Sequence, residues 1–117
     1  MADSKEMVKL ACHGLSEKKA DDIRVIDISE VSLIADYFIL ASASNQNQMS
    51  ALVRSVDEEL TKAGYHLKSQ EGNNYSSWIL LDYTDIVVHI FTKEDRHFYN
   101  LEKLWQDGKE VDIQDIL

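Results

Sequence analysis

Residues 78–91 have the sequence WILLDYTDIVVHIF, and the prediction of the fold starts from this segment. It consists of two runs rich in β-branched, aliphatic and aromatic residues around a two-residue connection, Thr84-Asp85. Two such runs around so short a connection indicate a β-hairpin, although Thr-Asp is a weaker turn sequence than Asn-Gly. The chain is therefore predicted to contain a sheet, and the flanking segments indicate what else belongs to it.

The register of this hairpin predicts which side chains share a face. With the turn at residues 84–85, Leu81 faces Val88 and Ile79 faces Ile90. Because side chains alternate along a strand, these residues share one mainly aliphatic face that suits a core against helices. The opposite face holds Trp78, Leu80, Asp82, Val87, His89 and Phe91.

Two amphipathic helices are predicted upstream of the hairpin. Apolar residues repeat at helical spacing over residues 7–18, where Gly14 weakens the prediction because glycine is unfavourable inside helices. A longer apolar stripe follows Ser44, which is a suitable N-cap. Gly64 ends that stripe, as glycine commonly does just after a helix.

The remaining segments predict three more strands and a last helix. Residues 23–28 are rich in β-branched side chains, residues 36–42 are almost continuously apolar, and residues 65–70 suit a short edge strand. Four apolar residues at helical spacing predict a helix in the tail: Phe98, Leu101, Leu104 and Trp105. The elements together predict the α+β class, with a single mixed β-sheet of about five strands flanked by helices.

Length and composition exclude several classes of protein. The chain has 117 residues, 44% of them hydrophobic and 28% charged, which fits one globular domain and excludes a disordered chain or a collagen-like fibre. A lone Cys12 excludes an intrachain disulfide. No apolar run approaches the roughly 20 residues that span a bilayer, and residues 1–6 do not resemble a signal peptide. We expect a cytoplasmic protein that has no contact with a membrane.

The net charge of −9 bears on the choice of partner. An acidic domain is a poor candidate for binding nucleic acid directly, because that binding depends on neutralising phosphates. It suits docking onto a basic protein, and ribosomal proteins are common basic surfaces in a cytosol. Taken by itself, however, the charge favours a simpler interpretation, that it serves only solubility.

The motifs of common enzymes are absent from the sequence. It contains no P-loop, no G-x-G-x-x-G, no G-x-S-x-G and no C-x-x-C, and the histidine spacing does not suit zinc. The element order resembles that of nucleotidyltransferases, which need a Gly-Ser turn and an Asp-x-Asp pair to hold magnesium. Here the turn is Ala43-Ser44-Asn45, and no predicted strand carries the acidic pair. We therefore expect no enzyme activity, no metal and no cofactor.

The face that contains Trp78 and Phe91 has two interpretations. Aromatic anchors beside polar groups are typical of the centre of a partner-binding surface. Alternatively, the tail folds over this face, and Trp105 and Phe98 complete a second core layer. The sequence leaves both interpretations open.

Ordered motifs over almost the whole chain resemble the ribosomal silencing factor family, also called RsfS or Iojap. They are DYFILAS at residues 36–42, Glu71-Gly72, W-x-L-L-D-Y from residue 78, D-x-x-x-H-x-F from residue 85, and R-x-F-Y-x-L-E-x-L-W from residue 96. The resemblance runs from about Lys5 to about Asp107. It predicts a silencing-factor domain over residues 1–107 and a C-terminal tail over residues 108–117, to which it assigns no role.

The resemblance implies a nucleotidyltransferase-like fold without catalytic residues. It further implies a translational repressor that binds ribosomal protein fourteen of the large subunit and sterically blocks subunit joining when nutrients are short. No direct sequence-specific contact with nucleic acid is implied. The alternative is a homodimeric interaction module with no ribosomal role, and a homodimer of the free protein is compatible with both.

The partner-binding residues that follow from the resemblance and the face assignment are Glu71, Trp78, Leu80, Asp82, His89, Phe91 and Tyr99. One departure from the family pattern concerns the hairpin turn, where Thr84 stands in place of the usual glycine. A second departure is the absence of a basic residue near Asn47.

Overall fold

The computed structural model describes residues 3–30, 32–33, 35–73, 76–93 and 109–111. In chain order its elements are α1 (Ser4–Glu17), β1 (Asp21–Asp27), β2 (Tyr37–Ala43), α2 (Gln46–Lys62), β3 (Ser69–Glu71), β4 (Trp78–Asp82), β5 (Ile86–Thr92) and β6 (Lys109–Val111). The predicted α+β class is confirmed. The helix predicted around Phe98 lies outside the described residues. No helix of the described residues is both long and apolar enough to cross a membrane.

The strands form one mixed sheet with the order β3-β4-β5-β2-β1-β6. The central strands β2 and β5 are parallel, and the other neighbours are antiparallel. The sheet therefore has six strands rather than about five. The additional strand is β6, whose three residues have no strand pattern of their own and pair with the second half of β1.

Both described helices pack on one face of the sheet, which we call the helical face. Their buried residues and the inward residues of the strands form one cluster that includes Met7, Leu52, Ile79, Leu81 and Val88. Burial of this apolar surface is the main stabilising contribution to the fold. The aliphatic side of the predicted hairpin is thus confirmed as a core surface.

Gly14 lies at a close contact between the two helices. A Cβ atom at this position would lie 2.9 Å from the backbone oxygen of Ser55. The Ser55 hydroxyl donates to the backbone oxygen of Gly14 at 2.7 Å, so the small residue and the hydroxyl together allow the helices to meet. The glycine that weakens the helix prediction is therefore required by helix packing.

The ends of α2 correct one prediction. The N-cap is Asn45 and not Ser44, because the Asn45 side chain accepts from the backbone N–H of Gln48. The Gln48 side chain in turn accepts from the backbone N–H of Ser44 at 2.6 Å, which resembles a capping box shifted by one residue. Gly64 follows the C-cap with φ of +91°, as predicted.

The hairpin has the predicted register, with Leu81 opposite Val88 and Ile79 opposite Ile90. Its turn contains Thr84 with φ of +76°, and the N–H of Asp85 donates to the backbone oxygen of Tyr83 at 3.0 Å. This hydrogen bond closes a γ-turn of the rare, strained kind centred on Thr84. A β-branched residue at positive φ is unusual, and glycine is the residue that suits this backbone best.

Candidate partner-binding site

The face of the sheet opposite the helices is called the aromatic face. Its ring-bearing residues are Phe38 on β2, Trp78 on β4, and His89 and Phe91 on β5. They lie together because directly paired residues of neighbouring strands point to the same side: Trp78 pairs with Phe91, and Leu80 pairs with His89. The second hydrophobic cluster of the protein lies on this face and includes no residue of the two described helices.

His89 is at the centre of these rings. Its ring centroid lies 4.9 Å from that of Phe38 in an edge-to-face arrangement and 5.8 Å from that of Trp78. The indole Nε1–H of Trp78 donates to Nδ1 of His89 at 3.2 Å. His89 Nε2 is buried and has no hydrogen-bond partner among the described residues. Burial lowers the pKa of His89 from 6.5 to about 4, so the imidazole is neutral at pH 7.

Exposure decreases from β4 towards β5 on this face. Phe91 has no exposed surface and His89 is 5% exposed, whereas Trp78, Leu80 and Asp82 are half-buried. Phe91 stacks against Trp78 from the neighbouring strand, with ring centroids 5.3 Å apart. A partner that meets this face would therefore contact Trp78 and Leu80 rather than the buried Phe91.

Two carboxylates lie beside the aromatic face. Glu71 on β3 is exposed and pairs with Leu80, so its side chain points to the same side of the sheet. Asp82 ends β4, and its Oδ1 accepts from the backbone N–H of Thr84 at 2.8 Å. Asp82 thus stabilises the hairpin turn in addition to contributing charge. Tyr99, the remaining predicted site residue, lies outside the described residues.

Phe38 belongs to the aromatic face and was not among the predicted site residues. Strand β2 is apolar at almost every position, so its sequence shows no alternation from which a face could be assigned. The missing information was its partner strand: the parallel pairing of Phe38 with Val87 places its ring beside His89.

The described residues contain no group of three or more histidine, cysteine, aspartate or glutamate side chains that could hold a metal ion. Cys12 is buried in the helical core, and burial raises the pKa of its thiol to about 12. Since the thiolate is the reactive form, Cys12 is expected to be inert. The described part of the aromatic face thus consists of an aromatic centre with two carboxylates beside it.

This chain is similar to known proteins over most of its length. The family model described as "Ribosomal silencing factor during starvation" matches residues 1–117. The ribosomal silencing factor of Bacillus subtilis is 36% identical over 111 residues, which cover 95% of this chain and 94% of that protein. A mouse protein named "Mitochondrial assembly of ribosomal large subunit protein 1" is 32% identical over 98 residues, which cover 78% of this chain and 41% of that protein.

A crystal structure of a protein from Chromobacterium violaceum has a TM-score of 0.84 at 33% identity, covering 92% of this chain and 90% of that one. The fold and the sequence therefore agree over nearly the full length of both proteins. The family model extends to the last residue, and so it includes β6, which completes the sheet. This chain belongs to the ribosomal silencing factor family.

Proposed function

We propose that this protein binds ribosomal protein fourteen of the large ribosomal subunit, sterically blocks joining of the small subunit and so lowers translation when nutrients are limiting. The observation that carries the proposal is the match of the family model to residues 1–117. The name of the mouse relative, which refers to the large ribosomal subunit, supports the choice of subunit.

The aromatic face is the proposed docking site. Trp78 and Leu80 are half-buried, so they retain apolar surface that a partner would bury. Tryptophan is among the residues most enriched at the centres of interfaces, and a polar rim usually surrounds such centres. Asp82 and Glu71 provide that rim on β4 and β3. His89 and Phe91 belong to the site as buried rings that pack against Trp78 from the neighbouring strand, and Tyr99 is retained on the resemblance alone.

Electrostatic attraction is proposed to assist binding, because a net charge of −9 complements a basic ribosomal protein. This attraction would be screened by salt, so the affinity should fall as ionic strength rises. Binding that is independent of salt would contradict the electrostatic part of the proposal and leave the aromatic part intact.

The mechanism is occlusion and involves no catalysis. The fold is proposed to be nucleotidyltransferase-like without the catalytic residues of those enzymes, since the acidic pair and the Gly-Ser turn that hold magnesium there are missing from the sequence. A protein that acts on the ribosome in this way would work in the cytoplasm without cofactor, membrane or direct sequence-specific contact with nucleic acid. Residues 1–107 are proposed to form the ribosome-binding domain; the tail, residues 108–117, adds strand β6 to the sheet of that domain and is otherwise assigned no role.

The first experiment is sedimentation of purified ribosomal subunits with the added protein. We expect co-migration with the large subunit and loss of the joined-ribosome peak. Trp78→Ala should abolish both effects. The matched control is Tyr65→Ala, which also removes a half-buried aromatic ring, but one that packs on the helical-face cluster; it should bind like the wild type. Absence of co-migration by the wild-type protein would contradict the proposed function.

A homodimer of the free protein is proposed to use the same face, because Trp78 and Leu80 would be covered equally well by a second copy. Analytical ultracentrifugation of the wild type and Trp78→Ala tests this. A dimer that survives the substitution would show that the copies meet elsewhere. A dimer that forms without any ribosome binding would favour the alternative of an interaction module with no ribosomal role.

A further inference from the structure

The hydrogen bond between Trp78 and His89 joins a half-buried side chain to a buried one. His89 is 5% exposed, and rings surround its imidazole: Phe38 lies edge-on at 4.9 Å, while Trp78 and Phe91 are stacked at 5.8 Å and 6.2 Å. A partner that docks on this face cannot reach the imidazole directly without displacing these rings. Any influence of His89 on recognition must therefore pass through the residues that touch it.

The direction of this hydrogen bond determines which ring nitrogen of His89 carries the hydrogen. An indole nitrogen carries a hydrogen and can only donate, so Nδ1 must be the acceptor. A neutral imidazole has one acceptor nitrogen and one N–H, and its hydrogen is therefore on Nε2. Nε2 has no partner among the described residues, and a buried donor in that condition is unfavourable. The protein thus retains a buried histidine with one nitrogen unpartnered, which a purely apolar core layer would not require.

Nδ1 of His89, the nitrogen that accepts from Trp78, explains how this arrangement assists the binding of a partner. A half-buried tryptophan that is not held in place can rotate about two side-chain torsions, and ordering it on binding lowers the affinity. The acceptor on His89 and the stack on Phe91 hold the indole before any partner arrives. This is preorganisation, and it depends on an acceptor at the Nδ1 position rather than on the size of the imidazole.

We propose that His89 is a positioning residue for partner binding: its neutral imidazole, with Nδ1 as acceptor and the hydrogen on Nε2, holds the Trp78 indole in its binding orientation and does not itself contact the partner. The proposal rests on the proposed function of the aromatic face. It changes the role of His89 from a contact residue to a residue that acts through Trp78.

The tautomer can be measured directly in the wild-type protein. Nitrogen-15 chemical shifts of the histidine ring distinguish a protonated from an unprotonated nitrogen. We expect His89 to show an unprotonated Nδ1 and a protonated Nε2 at pH 7. A hydrogen on Nδ1 would overturn the proposal, because that nitrogen could then not accept from the indole.

Two variants of His89 distinguish the effect of its hydrogen-bond acceptor from the effect of its side-chain volume. In His89→Asn the amide oxygen is bonded to Cγ, as Nδ1 is in histidine, so an acceptor remains in the same region. In His89→Leu the acceptor is lost and an apolar side chain of similar bulk remains. Both are made with Trp105→Phe, so that Trp78 gives the sole indole resonance. Hydrogen exchange of that indole N–H with water should be slow in the parent protein and in His89→Asn, and at least about tenfold faster in His89→Leu.

Binding to the large ribosomal subunit provides the second readout. We expect His89→Leu to weaken binding by about tenfold and His89→Asn to remain within about threefold of the wild type. Trp78→Phe, which keeps a ring but removes the donor, should make the His89→Leu substitution silent if the two act as one unit. Circular dichroism shows whether each variant is folded. If neither His89 variant folds, the tautomer measurement and the binding of Trp78→Phe still test the proposal.

The outcomes separate this proposal from the function on which it rests. If the wild type does not bind the large subunit, the proposed function fails, and the indole exchange still tests the structural bond. If the wild type binds and folded His89→Leu binds equally well, His89 does not position Trp78. If His89→Asn is folded and as weak as His89→Leu, the acceptor is not the relevant property and the proposal is overturned.

Discussion

The two faces of the sheet are built on different principles. On the helical face, two helices cover aliphatic side chains, and polar contacts such as that between Ser55 and Gly14 serve helix packing. On the aromatic face, a buried histidine accepts from a half-buried tryptophan, and its other nitrogen has no hydrogen-bond partner among the described residues. A core needs only volume and apolar surface, whereas recognition needs an exposed group held in a defined orientation. The same strands thus contribute to the core on one side and, under the proposed function, to recognition on the other.

The largest expected effect is on the free energy of unfolding, and it compares two adjacent leucines that lie on opposite faces of the sheet. Leu81 is fully buried on the helical face, and Leu80 is half-buried on the aromatic face. Leu81→Ala should lower the free energy of unfolding by about 3 kcal/mol, because it leaves a cavity in a packed core. Leu80→Ala should lower it by about 1 kcal/mol, because less apolar surface is lost. Urea denaturation measures both, and equal losses would contradict the distinction.

Acid should destabilise the aromatic face through His89. Burial lowers the pKa of His89 to about 4 in the folded protein, against 6.5 in the unfolded chain. The unfolded chain therefore binds more protons between these values, and stability is lost as the pH falls from 6.5 towards 4. The loss should be about 2 kcal/mol at pH 5 and on the order of 3 kcal/mol once the pH is below the folded pKa.

The measurement is urea denaturation at several pH values in parallel for the wild type and His89→Leu. Carboxylates titrate in both proteins, so the difference between the two curves isolates the histidine. We expect the wild type to lose stability relative to His89→Leu as the pH is lowered through the stated range. Two parallel curves would show that His89 is not buried as a neutral ring.

The smallest expected effect concerns the turn between β4 and β5. Thr84→Gly should raise the free energy of unfolding by about 1 kcal/mol, because it relieves a threonine held at φ of +76°. Thr84→Ala is the matched control: it keeps a Cβ atom and should give no comparable gain. Thermal melts measure both variants. Ribosome binding should be unchanged in each, since neither substitution alters the rings of the aromatic face.

Much of the fold follows from local patterns in the sequence. The hairpin register and the helical face were predictable because alternation and helical periodicity are local properties of the chain. The N-cap was misplaced by one residue because Ser44 and Asn45 are both good caps, and only the Gln48 contacts decide between them. Strand β6 was not predictable, since Lys109–Val111 becomes a strand through its pairing with β1.

The candidate site was predictable in part. Alternation along the hairpin grouped Trp78, Leu80 and His89, and the structure places them together. Burial of Phe91 and the bond from Trp78 to His89 depend on neighbouring strands and on side-chain orientation, which the spacing of residues does not contain. The position of Phe38 depends in the same way on a partner strand far along the chain.

The parallel pairing at the centre of the sheet has a consequence for the order of folding. Tyr37 on β2 pairs with Ile86 on β5, so the middle of the sheet joins segments separated by all of α2, β3 and β4. Contacts so distant in sequence form slowly, whereas the β4–β5 hairpin closes locally. During synthesis β2 cannot pair with β5 until β5 has emerged, and only then does the ring of Phe38 contact His89. The aromatic face therefore forms only in a chain that already includes β5, and under the proposed function a shorter chain would not bind the large ribosomal subunit.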